Sequence, residues 1–307
     1  MSFTGKDIIS IIDLSKQEIE EILKEAEKME RLLKEKEKLD LLSGKILANL
    51  FFEPSTRTRL SFATAMQKLG GEVIGFEEIG TTSLAKGETL ADTIKVVEKY
   101  SDVIVIRHPK EGSARFAAEI SEKPVINAGD GANQHPTQTL LDLYTINKLK
   151  GRIEGLKVAL VGDLKHGRVM RSLAYGLAMF KASLTFVSPV GLEFPEDFTR
   201  EIVEKFDCEI IQTDNIASGI KNADVIYVCR IQKERFEDAY EAEKIQKSFM
   251  LDAKTIEKTK EDAIILHALP RTVEIDRSID KTQKAKYFEQ AYYGVPVRMA
   301  ILKMVCL

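Results

Sequence analysis

The segment Phe51-Phe52-Glu53-Pro54-Ser55-Thr56-Arg57-Thr58-Arg59 gathers three hydroxyls and two guanidinium groups at one turn. An apolar strand pattern over 46–52 runs into it, and an amphipathic helix pattern leaves it. A helix starting there points unpaired N–H groups and its positive dipole end at the space beyond the strand, and Ser55, Thr56 and Thr58 add hydroxyl donors. The chemistry this suits is the holding of an anion, a phosphate above all, with Arg57 as countercharge. Neither Walker glycines nor a Gly-rich dinucleotide turn is present, so the turn is unlike a P-loop or a nicotinamide site. An ordinary Ser/Thr helix cap followed by solvated arginines would read the same way from these residues alone.

The elements that must position this turn come from a wider pattern. Short β-rich runs at 46–52, 73–76, 103–106 and 125–127 alternate with helical patterns. After a long helix over 136–150, leading to Gly151 and Gly155, the alternation restarts at 158–161, 184–187, 210–211, 225–228 and 264–266. Alternation of this kind gives parallel sheets, so the fold class is α/β: two Rossmann-like parallel-sheet domains with the active site in the interdomain cleft. A first domain over 1–135 would take back a C-terminal helix over about 285–307, a second would span 151–284, and 136–150 would link them. The first helix opens at Ser15 with Glu18 at capping-box spacing, and Ile19, Ile22, Leu23, Ala26 and Met29 form its apolar face. Its Lys/Glu-rich remainder reads as solvated surface.

Polar residues follow these strands with regularity: Ser55 to Thr58, Arg107, His135, Asp163 to Arg168, Arg230 to Gln232, and His267. In open parallel sheets ligands bind beyond the carboxyl ends of the strands, so six such groups point to one cleft. Each has a bland alternative when taken singly. His135 before Pro136 suits a helix cap, Arg107-His108-Pro109 a strand-end salt bridge, and Arg168 and Arg230 plain surface arginines. Together Arg57, Arg107, Arg168 and Arg230 suit small, polyanionic substrates, because guanidinium grips phosphate and carboxylate through paired hydrogen bonds.

Composition sets the outer limits. With 307 residues and 44% apolar side chains, the chain suffices for about two domains with real cores. Charged residues make up 30% but nearly cancel to −3, which leaves no basic footprint for nucleic acid or an acidic membrane. Cys208, Cys229 and Cys306 are odd in number and widely spaced, which fits a reduced compartment, the cytoplasm by default, better than a disulfide framework or a zinc site. The N-terminus has no apolar leader and no run reaches membrane-spanning length, so neither export nor a membrane is expected. The Lys/Glu-rich, Trp-free composition hints at a hot habitat.

Three motifs, Ser55-Thr56-Arg57-Thr58, His135-Pro136-Thr137-Gln138 and His267-Ala268-Leu269-Pro270, resemble those of the carbamoyltransferases, and the resemblance covers almost the whole chain. Gly162-Asp163-Leu164-Lys165-His166-Gly167-Arg168 and Arg230-Ile231-Gln232-Lys233-Glu234-Arg235 resemble the aspartate branch, whereas the ornithine branch typically carries cysteine where Ala268 stands. The resemblance implies attack by the α-amine of L-aspartate on carbamoyl phosphate, giving N-carbamoyl-L-aspartate and phosphate in pyrimidine synthesis. It implies that Ser55, Thr56, Arg57 and Thr58 hold the phosphate. Arg57 would offset charge on the departing oxygen, and Thr58, Arg107 and His135 would bind the carbonyl oxygen. Gln138 and the Leu269 backbone would take the carbamoyl amide, with Pro270 shaping that turn. Arg168 and Arg230 would grip the two aspartate carboxylates, helped by Gln232. Ser83 would serve carbamoyl phosphate, and Lys86 would reach aspartate from a neighbouring subunit of a homotrimer with shared active sites. No cofactor and no metal in this chain are implied, and acceleration would come from positioning and electrostatics.

Some positions depart from the family pattern. Ala268 stands where proline is common, which would loosen the turn, and Val169 and Arg171 replace the commoner Thr and His. His166 stands where many relatives carry tyrosine. A carbamoyltransferase with another amino acceptor, or a homologue that binds without turnover, are the competing readings. Some family members pair with a zinc-containing regulatory chain, and 110–122 is a candidate contact for one, although a plain amphipathic surface helix would look the same.

Overall fold

Nine strands and eleven α-helices alternate along a computed structural model that describes residues 2–77, 87–232, 236 and 238–307. The chain divides into two compact units, Met1–Tyr144 with Tyr293–Leu307, and Thr145–Tyr292. Within the described residues no helix is long and apolar enough to cross a membrane.

The first unit is built on β1 (Ile46–Phe51), β2 (Glu72–Glu77), β3 (Val103–His108) and β4 (Val125–Asp130), all parallel, in the order β2-β1-β3-β4. β1, β3 and β4 are almost wholly buried, as expected of parallel strands covered on both faces, while the edge strand β2 is largely exposed. Leu50, Ile104, Ile106 and Val125 pack with Ile94 and Ala117 from α3 (Leu90–Val97) and α4 (Ser113–Ile120).

The first helix, α1 (Lys16–Glu35), forms the expected capping box between Ser15 and Glu18 and buries Ile19, Ile22, Leu23, Ala26 and Met29. Its charged remainder is not all solvated. Glu25 and Glu30 are buried, Glu25 paired with Lys28 at 2.7 Å and Lys303 at 2.6 Å, and Glu30 accepting from the Tyr144 hydroxyl and pairing with Lys34. Ion pairing and the phenol hydrogen bond let these carboxylates enter the interior, information that a helical period cannot carry.

The second unit holds β5 (Lys157–Val161), β6 (Ser183–Val187), β7 (Ile210–Thr213), β8 (Val225–Val228) and β9 (Ile264–His267), parallel in the order β7-β6-β5-β8-β9. The register pairs Val161 with both Val187 and Val228, and Val228 with His267, so the carboxyl ends of β5, β8 and β9 lie side by side. Gly162 follows β5 at φ +122°, and a Cβ there would meet the Cys229 carbonyl at 2.1 Å. Only glycine lets the two chain segments run this close just past the sheet edge.

The remaining helices are α2 (Thr56–Lys68), α5 (Pro136–Lys150), α6 (Arg168–Met179), α7 (Glu196–Phe206), α8 (Ile216–Ile220), α9 (Ala239–Ser248), α10 (Ala253–Ile256) and α11 (Tyr287–Cys306). In the first unit, Gly294 of α11 has a packing reason for its place: a Cβ there would lie 2.4 Å from the guanidinium of buried Arg298. That guanidinium lies over the Phe62 ring of α2, 5.0 Å from its centroid.

Candidate functional site

In the first unit the hydroxyl-arginine turn lies where β1 feeds α2. Ser55 occupies the N-cap position of α2 but makes no side-chain capping bond. Ser15, Thr89 and, in the second unit, Asn215 and Asp252 all cap their own helices through the side chain. Ser55 is thus not spent on the ordinary cap, and the first turn of α2 keeps its anion-binding character. Arg57 is exposed and Thr58 buried. The second arginine of the turn is committed elsewhere: Arg59 pairs with Glu77 at 2.7 Å, and its carbonyl accepts from Asn49.

Arg107 lies at the carboxyl end of β3 and is held in two directions. Its Nε is 2.8 Å from Glu53 and its terminal nitrogen donates to the Ala128 carbonyl at 3.2 Å. Strand-end pairing, one of the plain readings of Arg107, is therefore present, and it fixes the guanidinium beside the turn that begins at Glu53.

After β4, Asp130 organises the loop that delivers His135. Its carboxylate, 1% exposed, accepts from Asn127, Gly112, Asn133 and the Gln134 N–H at 2.9 to 3.1 Å. His135 is buried, and its carbonyl accepts from the N–H groups of Gln138 and Thr139 as Pro136 opens α5. One turn on, Gln138 donates through Nε2 to Asp142 at 2.9 Å. A carboxylate can only accept, so Asp142 turns the amide with Oε1 directed away from itself. Asp142 is fully buried and acts electrostatically on Arg298, whose pKa burial lowers and Asp142 opposes. Ser55, Thr56, Arg57, Thr58, Arg107, His135 and Gln138 therefore follow or end the adjacent parallel strands β1, β3 and β4 and share their carboxyl edge.

In the second unit Arg168 is the first residue of α6, half-buried, behind Gly167 at the N-cap. The preceding loop is tied by buried Asp163, which accepts from the His166 N–H at 3.0 Å and sits 3.1 Å from the His166 ring. Gln232 reaches the same loop, donating to the His166 carbonyl at 3.3 Å. Arg230 and Gln232 follow β8, the neighbour of β5. Arg171, one of the departures, lies over the Phe198 ring, 5.0 Å from its centroid, a packing role within this unit.

His267 does not behave as a free polar group at a strand end. It is 4% exposed, faces Glu274 at 2.9 Å through Nε2, and accepts the Leu269 N–H on Nδ1 at 2.7 Å. Its own N–H donates to Gln290 at 2.8 Å. Leu269 has φ +58°, a left-handed conformation that a leucine keeps only when its surroundings impose it. The looser turn expected from Ala268 thus has a brace that does not involve residue 268.

Asp142, Asp130, Glu53 and Glu274 were not singled out as site residues from the sequence. The only available signal was their placement one helical turn or a few residues from a motif residue. Ser83 and Lys86, and Lys233, Glu234 and Arg235 of the second arginine-bearing loop, lie outside the described residues. All three cysteines are free.

Comparison with known proteins matches residues 6–148 to the carbamoyl-P binding domain of aspartate/ornithine carbamoyltransferase and residues 154–305 to its Asp/Orn binding domain. The aspartate carbamoyltransferase catalytic subunit of Thermococcus onnurineus is 53% identical over 302 residues, covering 98% of this chain and 97% of that protein. The solved catalytic subunit of M. jannaschii aspartate transcarbamoylase superposes with a TM-score of 0.92 at 53% identity, over 97% of each chain. Aspartate transcarbamoylase from Trypanosoma cruzi, solved with carbamoyl phosphate and aspartate, matches with a TM-score of 0.93 at 37% identity, covering 99% of this chain and 96% of its own.

Proposed function

The chain belongs to the aspartate/ornithine carbamoyltransferase family, and on that premise we propose that it transfers the carbamoyl group of carbamoyl phosphate to the α-amine of L-aspartate. The products are N-carbamoyl-L-aspartate and phosphate, which places the enzyme in de novo pyrimidine biosynthesis. One observation carries the reading. Among the described residues, every side chain the resemblance calls on lies at or just beyond the carboxyl edge of a parallel sheet, and Ser55 there is left uncommitted to its own helix.

In the reaction, the aspartate nitrogen forms a bond to the carbamoyl carbon while the bond from that carbon to the phosphate oxygen breaks. The leaving phosphate takes the amine proton. Ser55, Thr56, Arg57 and Thr58 hold the phosphate, and Arg57 balances the charge that grows on its bridging oxygen. Thr58, Arg107 and His135 donate to the carbonyl oxygen as it becomes an oxyanion. Glu53 and the Ala128 carbonyl hold the Arg107 guanidinium in place for this task. The carbamoyl NH2 needs acceptors: Gln138, its Nε2 spent on Asp142, offers Oε1, and the resemblance gives the Leu269 carbonyl the same task. Pro270 shapes that turn. Arg168 and Arg230 take the two aspartate carboxylates, with Gln232 steadying the loop of Arg168.

Ser83 serves carbamoyl phosphate, and Lys86 reaches aspartate from a neighbouring copy, which makes the working unit a homotrimer. The cytoplasm, where free thiols persist, is the compartment that suits Cys208, Cys229 and Cys306. A regulatory chain would meet residues 110–122, where Phe116 of α4 is exposed. The test is phosphate release from carbamoyl phosphate with L-aspartate, L-ornithine or no acceptor, for the wild type and for Arg57→Ala. Release with aspartate alone, reduced about 10²- to 10³-fold in the variant, is expected. Equal release with ornithine, or binding without turnover, refutes the reading.

A further inference from the structure

The turn after β9 is held by a chain of hydrogen bonds with only one consistent direction. The Leu269 N–H points at Nδ1 of His267, 2.7 Å away, so that nitrogen must be bare and accepting. On the other side, Glu274 accepts from the Thr272 N–H at 3.1 Å to each oxygen and from the Thr272 hydroxyl at 2.8 Å. A carboxylate so used is an acceptor at its third contact too, so His267 Nε2, 2.9 Å away, must carry the proton. Both side chains are buried, 4% and 3% exposed, so no water completes the pattern from outside. The opposite tautomer would set an N–H against the Leu269 N–H and two acceptors against each other.

We infer that His267 and Glu274 act as a pair of positioning residues. Glu274 selects the His267 tautomer, and the tautomer holds the Leu269 amide in its left-handed conformation. This rests on the reading that the Leu269 carbonyl receives the carbamoyl NH2. The Leu269 N–H and carbonyl flank the same Cα, so freeing the N–H lets the Leu269 dihedrals turn and swings that carbonyl off its target, and the dyad acts on the donor substrate without touching it. The conformation is unusual for a leucine, and residue 268 is only an alanine. The brace from His267 therefore replaces stiffness that the chain at that position does not have.

Two substitutions in the full-length enzyme separate this role from simple core filling. His267→Asn places an amide oxygen near the position of Nδ1 and keeps an acceptor for the Leu269 N–H, but abandons Glu274. His267→Gln places its amide near Nε2 and keeps a donor for Glu274, but abandons Leu269. The expected result is a crossed order. His267→Asn melts lower, because Glu274 is left buried without its partner, yet keeps kcat/KM for carbamoyl phosphate within about threefold of wild type. His267→Gln melts higher than His267→Asn but loses about tenfold or more in kcat/KM for carbamoyl phosphate, about one hydrogen bond's worth. In the wild type, 15N NMR of the imidazole at neutral pH should show bare Nδ1 and protonated Nε2. Activity that follows melting temperature across the two variants, or an Nδ1–H or doubly protonated ring, overturns the inference while the reaction stands. Failure of the wild type itself to turn over carbamoyl phosphate with aspartate refutes the reaction, and the inference with it.

Discussion

Asp142 carries two loads at once, and they can be pulled apart. Its carboxylate accepts from Gln138 at 2.9 Å and acts electrostatically, within the same unit, on Arg298, which is 3% exposed. Asp142→Asn keeps an oxygen for Gln138 but removes the charge. Removing that countercharge leaves the buried guanidinium with less to offset its desolvation, at a cost of about 1–3 kcal/mol. In a domain of this size each kcal/mol moves the midpoint by about 2–4 °C, so a loss of about 2–12 °C is expected by calorimetry. The stacking of Arg298 on Phe62 returns some of this, which favours the lower half of the range. The double variant Asp142→Asn with Arg298→Met removes both charges and should recover part of the loss, giving a coupling energy of about 1 kcal/mol in the cycle. At a temperature where all variants are folded, Asp142→Asn should keep kcat/KM for carbamoyl phosphate within about threefold. Asp142→Ala, which also frees the Gln138 amide, should lose about tenfold. Additive stability losses, or equal activity in the Asn and Ala variants, would refute the assignment of these two loads to one carboxylate.

Ser55→Ala should leave thermal stability almost unchanged because Ser55 caps nothing, whereas Ser15→Ala should cost about 1 kcal/mol by melting; phosphate affinity should fall only in the first. Burial pushes the Glu274 carboxyl up, but its hydrogen bonds from His267 and Thr272 outweigh this and hold it at about 2, against an ordinary 4.5. A depressed folded-state value gives stability that is present above about pH 4.5 and is lost as pH falls toward 2, up to about 3 kcal/mol, and Glu274→Gln should flatten that stretch of the acid unfolding curve. Arg230→Lys keeps the charge but loses the paired geometry, so the KM for aspartate should rise about thirtyfold, with the KM for carbamoyl phosphate little changed; a larger effect on the second substrate would contradict the assignment.

The alternation of strand and helix was legible from residue 46 onward because the inner parallel strands, buried on both faces, must be apolar runs, and all nine strands, exposed β2 and β7 included, appear where the β-rich runs lie. The hydroxyl-arginine turn was legible for a similar reason: its chemistry depends on neighbours in sequence, at a strand-to-helix junction whose geometry is local. Whether Ser55 capped its own helix was not. That depends on a side-chain rotamer and on what the first turn of α2 faces, and both readings use the same letters. The carboxylates behind the site were hidden further still. Asp142 and Glu274 look like ordinary acidic residues until folding surrounds them, bringing Arg298 from 156 positions away in the one case and an imidazole and a threonine in the other. Local propensity and hydrophobic period are properties of a segment and survive in the bare sequence. The direction of a buried hydrogen bond belongs to a pair of groups, and only burial, which removes water as the alternative partner, makes that direction matter.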